Sequence, residues 1–395
     1  MVLPLSDIKV VDLTRILSGP FCTMLLGDMG ADVVKIESPD EGDPIRKQGT
    51  IVAGISTYFA SFNRNKRSLV VNLRTAAGKV VLEELLSKAD VLVENFRPGV
   101  LDDMGFSVAH LEDINPRLIT ASINGYGSSG PYAQRPAFDF IAQAMSGFMS
   151  LNGAAEDMAM RSGVPVSDLV AGIYAAFGIV NALRARDVTG KGQRVEAAMV
   201  DSIMSLFAWY ASDFLAAGKP VQRSGNDHPI TAPYGMFTAS DGAIAVAPST
   251  EVVLDRFLKE IDLQTLKADP RFVTNALRMA NRPALNAIIN EKTALDTQSN
   301  WVRRLNDAGV PCGVVQGLEE VFSDPQTLHR QMVIPVEHPG HGTVRMLGFP
   351  VKLSDTPCEV RMPAPDHGQH NAEIVSDWQL KSPGLIPSEN LKTRA

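Results

Sequence analysis

The first 125 residues alternate short β-branched runs with helical patterns, and no other feature constrains the fold as much. IKVVDLT is followed in turn by GPFCTMLLGDMG, ADVVKIE, TAAGKVVLEELLSKA, DVLVENF and RLITASING. Strand-like runs separated by helical crossovers predict parallel βαβ units, hence an α/β protein. In such open sheets, ligands sit beyond the carboxyl ends of the strands. Residues 138 to 218 read as mostly helical, with Asp168 at one helix start and TGKGQ (189 to 193) as the turn before another helix. From about residue 225 loops and strands return, followed by helical stretches around 252 to 310 and strand-like runs in VPCGVVQ, MVIPVEH and TVRMLGFPVKL. The polar tail PGLIPSENLKTRA reads as loosely held.

A chain of 395 residues is long enough for a second domain. Lys and Arg number 37 against 44 Asp and Glu, a net charge of -7. This balance offers no general attraction to nucleic acid or acidic membranes, so an anionic substrate needs local basic groups. The longest apolar run, LVAGIYAAFGIVNAL, has 15 residues, short of the roughly 20 that cross a bilayer. MVLPLSDIKVVDL lacks the pattern of a secretory signal, and Cys22, Cys312 and Cys358 form neither a disulfide framework nor a CxxC site. These features point to the cytoplasm.

GYGSSG, Gly125 to Gly130, fits GxGxxG after a strand, but the dinucleotide fingerprint needs a helix at its third glycine, and here PYAQRP follows. It reads as a glycine-rich loop beside a ligand. The pairs His338/His341 and His367/His370 read as exposed loop histidines rather than metal ligands, because Gly and Pro surround them and no Cys or acid completes a set. The basic cluster NRNKRS (63 to 68) running on to Arg74, together with NFRPG (95 to 99), is either a set of solvated turns or a pair of phosphate contacts facing one pocket. Asp168 admits two readings as well. It is a helix cap, accepting from the next turn, or a carboxylate that reacts, since Gly163, Pro165 and small neighbours let a ligand approach.

Several segments together resemble the class III coenzyme A transferases, the CaiB/BaiF family. They are IKVVDLTRILSGPFCTMLLGDMGADVVKIE, NRNKRSLVVNL, ADVLVENFRPGVLDDMG, NPRLITASINGYGSSGPY, FDFIAQAMSG, SDLVAG and TGKGQRVEAAMVD, and the likeness spans about residues 3 to 373. The resemblance implies a Rossmann-like large domain with an inserted small α+β domain, in an interlocked homodimer. It places the large domain at 1 to 205 and 336 to 395, the small domain at 236 to 315, and linkers at 206 to 235 and 316 to 335. It implies that Asp168 attacks an acyl-CoA, passing through an aspartyl anhydride and an aspartyl-CoA thioester to a carboxylic acid acceptor, with coenzyme A as substrate and no metal or redox cofactor.

The same resemblance puts Ile16, Leu17 and Ser18 near the thioester, and Val71, Arg74, Asn95, Phe96 and Met104 along the CoA. Met199 falls near the pantetheine or the substrate, Asp139 shapes the site, and Arg135 stands in for a nearby basic contact. The chain departs from the formyl-CoA and oxalate members. Leu17 replaces a glutamine, Ser38 an arginine and Asp103 a basic residue, and no polyglycine lid occurs near 240 to 262. Two alternatives remain, an α-methylacyl-CoA racemase and a catalytically silent CoA binder. Racemisation needs two acid/base groups, and Phe138 stands where racemase relatives carry a histidine.

Overall fold

Val10 and Val11 are neighbours in one strand, point to opposite faces and are both fully buried. A strand buried on both sides belongs in the middle of a parallel sheet between two helical layers. The computed structural model, which describes residues 2–381, has that sheet. Its strands are β1 (Lys9–Asp12), β2 (Asp32–Glu37), β3 (Lys66–Val70), β4 (Val91–Glu94), β5 (Ile119–Asn124) and β6 (Arg194–Ala198). All pairings are parallel, in the order β3-β2-β1-β4-β5-β6. The chain builds outward from β1, then crosses back to start β4 on its other side. The crevice at this reversal, between the carboxyl ends of β1 and β4, is where such sheets bind ligands.

The crossovers include α1 (Ser18–Asp28), α2 (Thr57–Asn63), α3 (Ala76–Leu86) and α4 (Val108–Ile114). The long return from β5 to β6 carries α5 (Asp139–Met145) and α6 (Val166–Thr189), and α7 (Met199–Met204) follows β6. Alternation along the strands divides the core in two. Val10, Val33, Val91, Val93 and Ile119 pack with Leu26 of α1 and Ala175 and Ile179 of α6. Val11, Val34, Leu69 and Leu92 pack with Leu82 and Leu85 of α3, Leu111 of α4 and Trp378. The α6 helix has 24 residues, enough by length and composition to cross a bilayer, yet it packs on α1, β5 and β6 as a core helix.

Two sequence expectations need correction here. RVEAA, read as opening a helix, is the edge strand β6. Its Glu and Ala residues favour a helix in isolation, but pairing with β5 overrides that preference. Gly192 makes the approach possible, because a Cβ there would lie 2.0 Å from the Leu118 carbonyl oxygen. In the region read as mostly helical, residues 138 to 218, only α6 is long.

By internal contacts the described chain forms two compact units. One takes the residues up to Phe148, Arg161–Ser212 and those from Gln326 onward, including the hairpin β10 (Val333–His338) and β11 (Gly342–Leu347) and helix α11 (Asn371–Asp377). The other is formed by Met149–Met160 and Asp213–Pro325. It has an antiparallel sheet of β7 (Gly235–Ala239), β8 (Gly242–Val246) and β9 (Cys312–Val314), ordered β9-β8-β7. Helices α8 (Glu251–Glu260), α9 (Arg282–Thr293) and α10 (Gln298–Asp307) pack Phe257, Ile289 and Trp301 around Phe237 and Ile244. The tail PGLIPSENLKTRA lies outside the described residues.

Candidate active site

The segment leaving β1 and the segment leaving β4 are tied to each other. Arg15 N donates to Asn95 Oδ1 at 2.9 Å, and Asn95 Nδ2 donates back to the Arg15 carbonyl at 2.8 Å. Ile16 then turns through φ 70°, and α1 begins at Ser18. Across from α1 runs α6. Glycine at 172 lets the two helices meet, since a Cβ there would lie 2.7 Å from the Ser18 carbonyl oxygen. This close packing sets Ser18 and Asp168 on one cavity, where Ser18 favours the charged form of the Asp168 carboxyl.

A cavity of about 280 Å³ opens here, at the switch point of the sheet. It gathers Ile16, Leu17 and Ser18, then Asn95 and Phe96, and then Arg135, Asp168 and Met199. A neighbouring cavity of about 440 Å³ is lined by Val71, Arg74 and Phe96, together with Lys35, Ser38 and Asn72. Arg15 and Phe96 line both. Two expected residues stand outside. Met104 ends a short helical turn, Val100–Asp103, and packs half-buried against the core cluster that also takes Phe96. Asp139 is buried at the start of α5, where Oδ1 accepts from Ser167 N at 3.0 Å and Ser167 Oγ at 2.8 Å, and Oδ2 accepts from Gln143 at 2.7 Å. It reaches the site through its charge alone.

Asp168 is not a cap. Pro165 occupies the N-cap of α6, and no side chain caps the helix. In the first turn of the helix and half-buried, the Asp168 carboxyl is pushed up to about 7. Burial is the largest cause and the nearby Asp139 charge the second, while the Ser18 hydrogen bond opposes both. An acid so placed is poised near neutrality, as reactive carboxyls are. Tyr58 of α2, which the sequence reading missed, is within the electrostatic reach of the same group. Burial first, and then the charges of Asp168 and Asp43, raise its phenol.

The cavity also gathers Arg15, Arg97 and Arg135, all three exposed. None of them has an acidic partner among the described residues. Arg135 stacks on Tyr132 at 3.6 Å, and Arg15 lies over Phe96 at 5.6 Å. Gly125, the first glycine of GYGSSG, lines the same cavity, and no helix opens after that loop until Asp139.

The rest of the basic cluster is neither a solvated turn nor a phosphate site. NRNKRS leads into the amino end of β3, where its cations are buried against acids. Arg64 pairs with Asp28 at 2.7 Å, Lys66 with Asp12 at 3.2 Å and Arg67 with Asp32 at 2.6 Å. Only the stretch from Val71 to Arg74, beyond the carboxyl end of β3, reaches a cavity. Of the four histidines, only His338 leaves the loops, while His341, His367 and His370 lie half-buried in turns. His338 is buried at the end of β10, and its Nδ1 lies 3.1 Å from the Val336 carbonyl oxygen. His341 bridges Ala53 and Asp366, His367 lies on the Ser38 carbonyl oxygen, and His370 Nδ1 accepts from Ser68 N.

A family model described as CoA-transferase family III matches residues 5–371. The chain belongs to CoA-transferase family III. It is 40% identical to the acetyl-CoA:oxalate CoA-transferase of Acetobacter aceti, over 95% of this chain and 96% of that one. It is 36% identical to the succinyl-CoA:glutarate CoA-transferase of Homo sapiens, over 95% of this chain and 86% of the relative. A solved structure of a CaiB/BaiF family protein from Brucella suis, 37% identical, matches the fold with a TM-score of 0.85 over 96% of this chain and 100% of its own. A family III CoA-transferase handles an acyl-CoA and a carboxylic acid, both anions. On a chain of net charge -7, the arginines at the switch point supply the local positive charge that such substrates need.

Proposed function

We propose that this transferase moves CoA from an acyl-CoA to a dicarboxylic acid, with Asp168 as the covalent relay. The observation that carries this reading is a single cavity at the switch point. There a carboxyl that ionises near neutrality faces the same space as three arginines without acidic partners among the described residues. In the first step the Asp168 carboxylate attacks the thioester carbonyl. The C–S bond breaks, CoA leaves as thiolate and a mixed anhydride forms. The thiolate then attacks the aspartyl carbonyl, expelling the donor acid and leaving an aspartyl-CoA thioester.

The acceptor carboxylate reverses these steps: it displaces the thiolate to form a second anhydride, and the thiolate takes the acceptor acyl group and frees Asp168. The scheme calls on no metal or redox group. Arg74, Val71 and Phe96 hold the nucleotide end of CoA in the larger cavity, and Asn95, Met199 and the 16 to 18 turn guide the thioester. An arginine beside Asp168 holds the distal carboxylate, in keeping with the dicarboxylates named for two relatives.

Phe138 lines the cavity and moves no proton, which disfavours racemisation. The proposed assembly is an interlocked homodimer in which 206 to 235 and 316 to 335 link a large and a small domain. It is supported by the apolar stripe of Ile173, Phe177 and Val180 on α6, where Phe177 is 67% exposed.

The test is mass-spectrometric detection of acyl-CoA exchange, with succinyl-, acetyl- and formyl-CoA offered against mono- and dicarboxylates. New dicarboxyl-CoA products that vanish in Asp168→Asn, while CoA binding persists, are the expected outcome. Full transfer by the asparagine variant contradicts the relay.

A further inference from the structure

A β-branched residue at φ 70° sits where such side chains rarely go, and it stays there only when its surroundings hold it. Ile16 is such a residue, and it is the turn that delivers Leu17 and Ser18 to the cavity. What holds it is Asp43, itself 1% exposed. The Ile16 N–H donates to the Asp43 carboxylate at 3.2 and 3.3 Å, and Ile45 N donates to Oδ1 at 3.2 Å. Lys35 Nζ pairs with Oδ2 at 2.9 Å, both side chains being fully buried, and it also donates to the Thr14 carbonyl at 2.8 Å. One Lys–Asp pair thus grips the turn on both sides, the carbonyl before Arg15 and the N–H after it. Asp43 is anchored in turn, its N–H donating to Glu37, which Arg46 clamps.

We propose that Asp43, braced by Lys35, is a positioning residue for CoA transfer: it fixes the left-handed Ile16 and thereby aims the Ser18 hydroxyl at the Asp168 carboxyl. The proposal rests on the relay reading of Asp168. Its consequence has a distinctive sign. The Ser18 hydrogen bond favours the ionised Asp168, so releasing the turn raises the midpoint at which Asp168 titrates. Deleting the Asp43 charge by itself does the opposite, because removing a nearby anion favours ionisation. The other groups facing Asp168 are Asp139 of α5, Tyr58 of α2 and the cavity arginines Arg15, Arg97 and Arg135, and all of them are kept.

The experiment titrates Asp168 by infrared difference between each variant and the same variant carrying Asp168→Asn. It compares wild type, Ser18→Ala, Asp43→Ala and the double Ser18→Ala/Asp43→Ala. Each single variant is expected to raise the midpoint by about one pH unit, the scale of one hydrogen bond to a charged group, and the double variant to raise it no further. Turnover in Asp43→Ala should fall about tenfold or more, with the acyl-CoA KM changed less than about threefold.

Because Asp43→Ala leaves Lys35 buried and unpaired, Lys35→Met/Asp43→Leu is tested beside it. That variant removes both charges and still deletes the acceptor for Ile16. An unchanged or lowered midpoint, or additive shifts in the double variant, overturns the positioning role. The titration reads Asp168 whether or not it forms covalent intermediates. Transfer surviving in Asp168→Asn therefore sinks the relay reading separately.

Discussion

At the residue scale the behaviour of Asp168 follows from a contest that the sequence does not display. Its position in the first turn of α6 favours the charged form through the helix dipole, and Ser18 adds a hydrogen bond, yet burial and the Asp139 charge win and push the carboxyl up to about 7. A nucleophilic carboxylate must be ionised, so transfer should rise with pH through about 7 and level off above it, as a kcat profile would show. The same shift affects stability. An acid whose folded value exceeds its unfolded value, here 3.8, costs nothing below the unfolded value, and the cost grows as pH rises and is complete above about 7. Asp168→Asn should therefore melt higher than wild type at pH 8 and close to it at pH 4. Equal melting temperatures at both pH values would contradict the shift. The sequence displayed Asp168 as an acid at a helix start, and the family likeness named it. Asp43 and Tyr58 were not legible, because their roles come from side chains meeting across the fold.

At the element scale, short β-branched runs made four of the six parallel strands visible, and the exceptions are instructive. RVEAA lacks a long apolar run because it is an edge strand paired on one side only, so composition spoke for a helix. NRNKRS looked solvated because a cation is read as exposed unless its acid is adjacent in sequence. Here Asp28 lies 36 residues before Arg64, on α1. Glycine in the α6 sequence carried a similar hidden meaning. An alanine in the middle of a helix ordinarily gains about 1 kcal/mol over glycine. At position 172 that gain meets a backbone oxygen 2.7 Å from the new Cβ, and the clash should win. Gly172→Ala is expected to lower the melting temperature and slow transfer, by prising α6 and its Asp168 from Ser18. Stabilisation by this change, measured by calorimetry, would show that the α1–α6 contact is looser than described.

At the scale of the whole molecule, chain order and spatial order part company. The sheet-bearing unit is closed by residues some 300 positions downstream of its second and third strands. Asn65 accepts from Arg361 N and Met362 N, Arg64 donates to the Leu347 carbonyl, and Trp378 donates to Asp32. Arg64→Ala removes one end of a buried bidentate pair and should cost about 3–5 kcal/mol in denaturant unfolding, because Asp28 is left buried and uncompensated. A loss below about 1 kcal/mol would match a solvated surface cation instead. The same topology gathers Arg15, Asn95, Gly125 and Asp168 from four distant segments at one crevice, so the catalytic account stands on that one group. Its most direct test is the intact mass of the chain after brief incubation with acyl-CoA and no acceptor, with peptide mapping of the product. The account predicts a chain heavier by one CoA less a water, through a hydroxylamine-sensitive thioester mapped to the peptide holding Asp168 and absent in Asp168→Asn. An unmodified chain during active turnover, or the adduct on another residue, would contradict it.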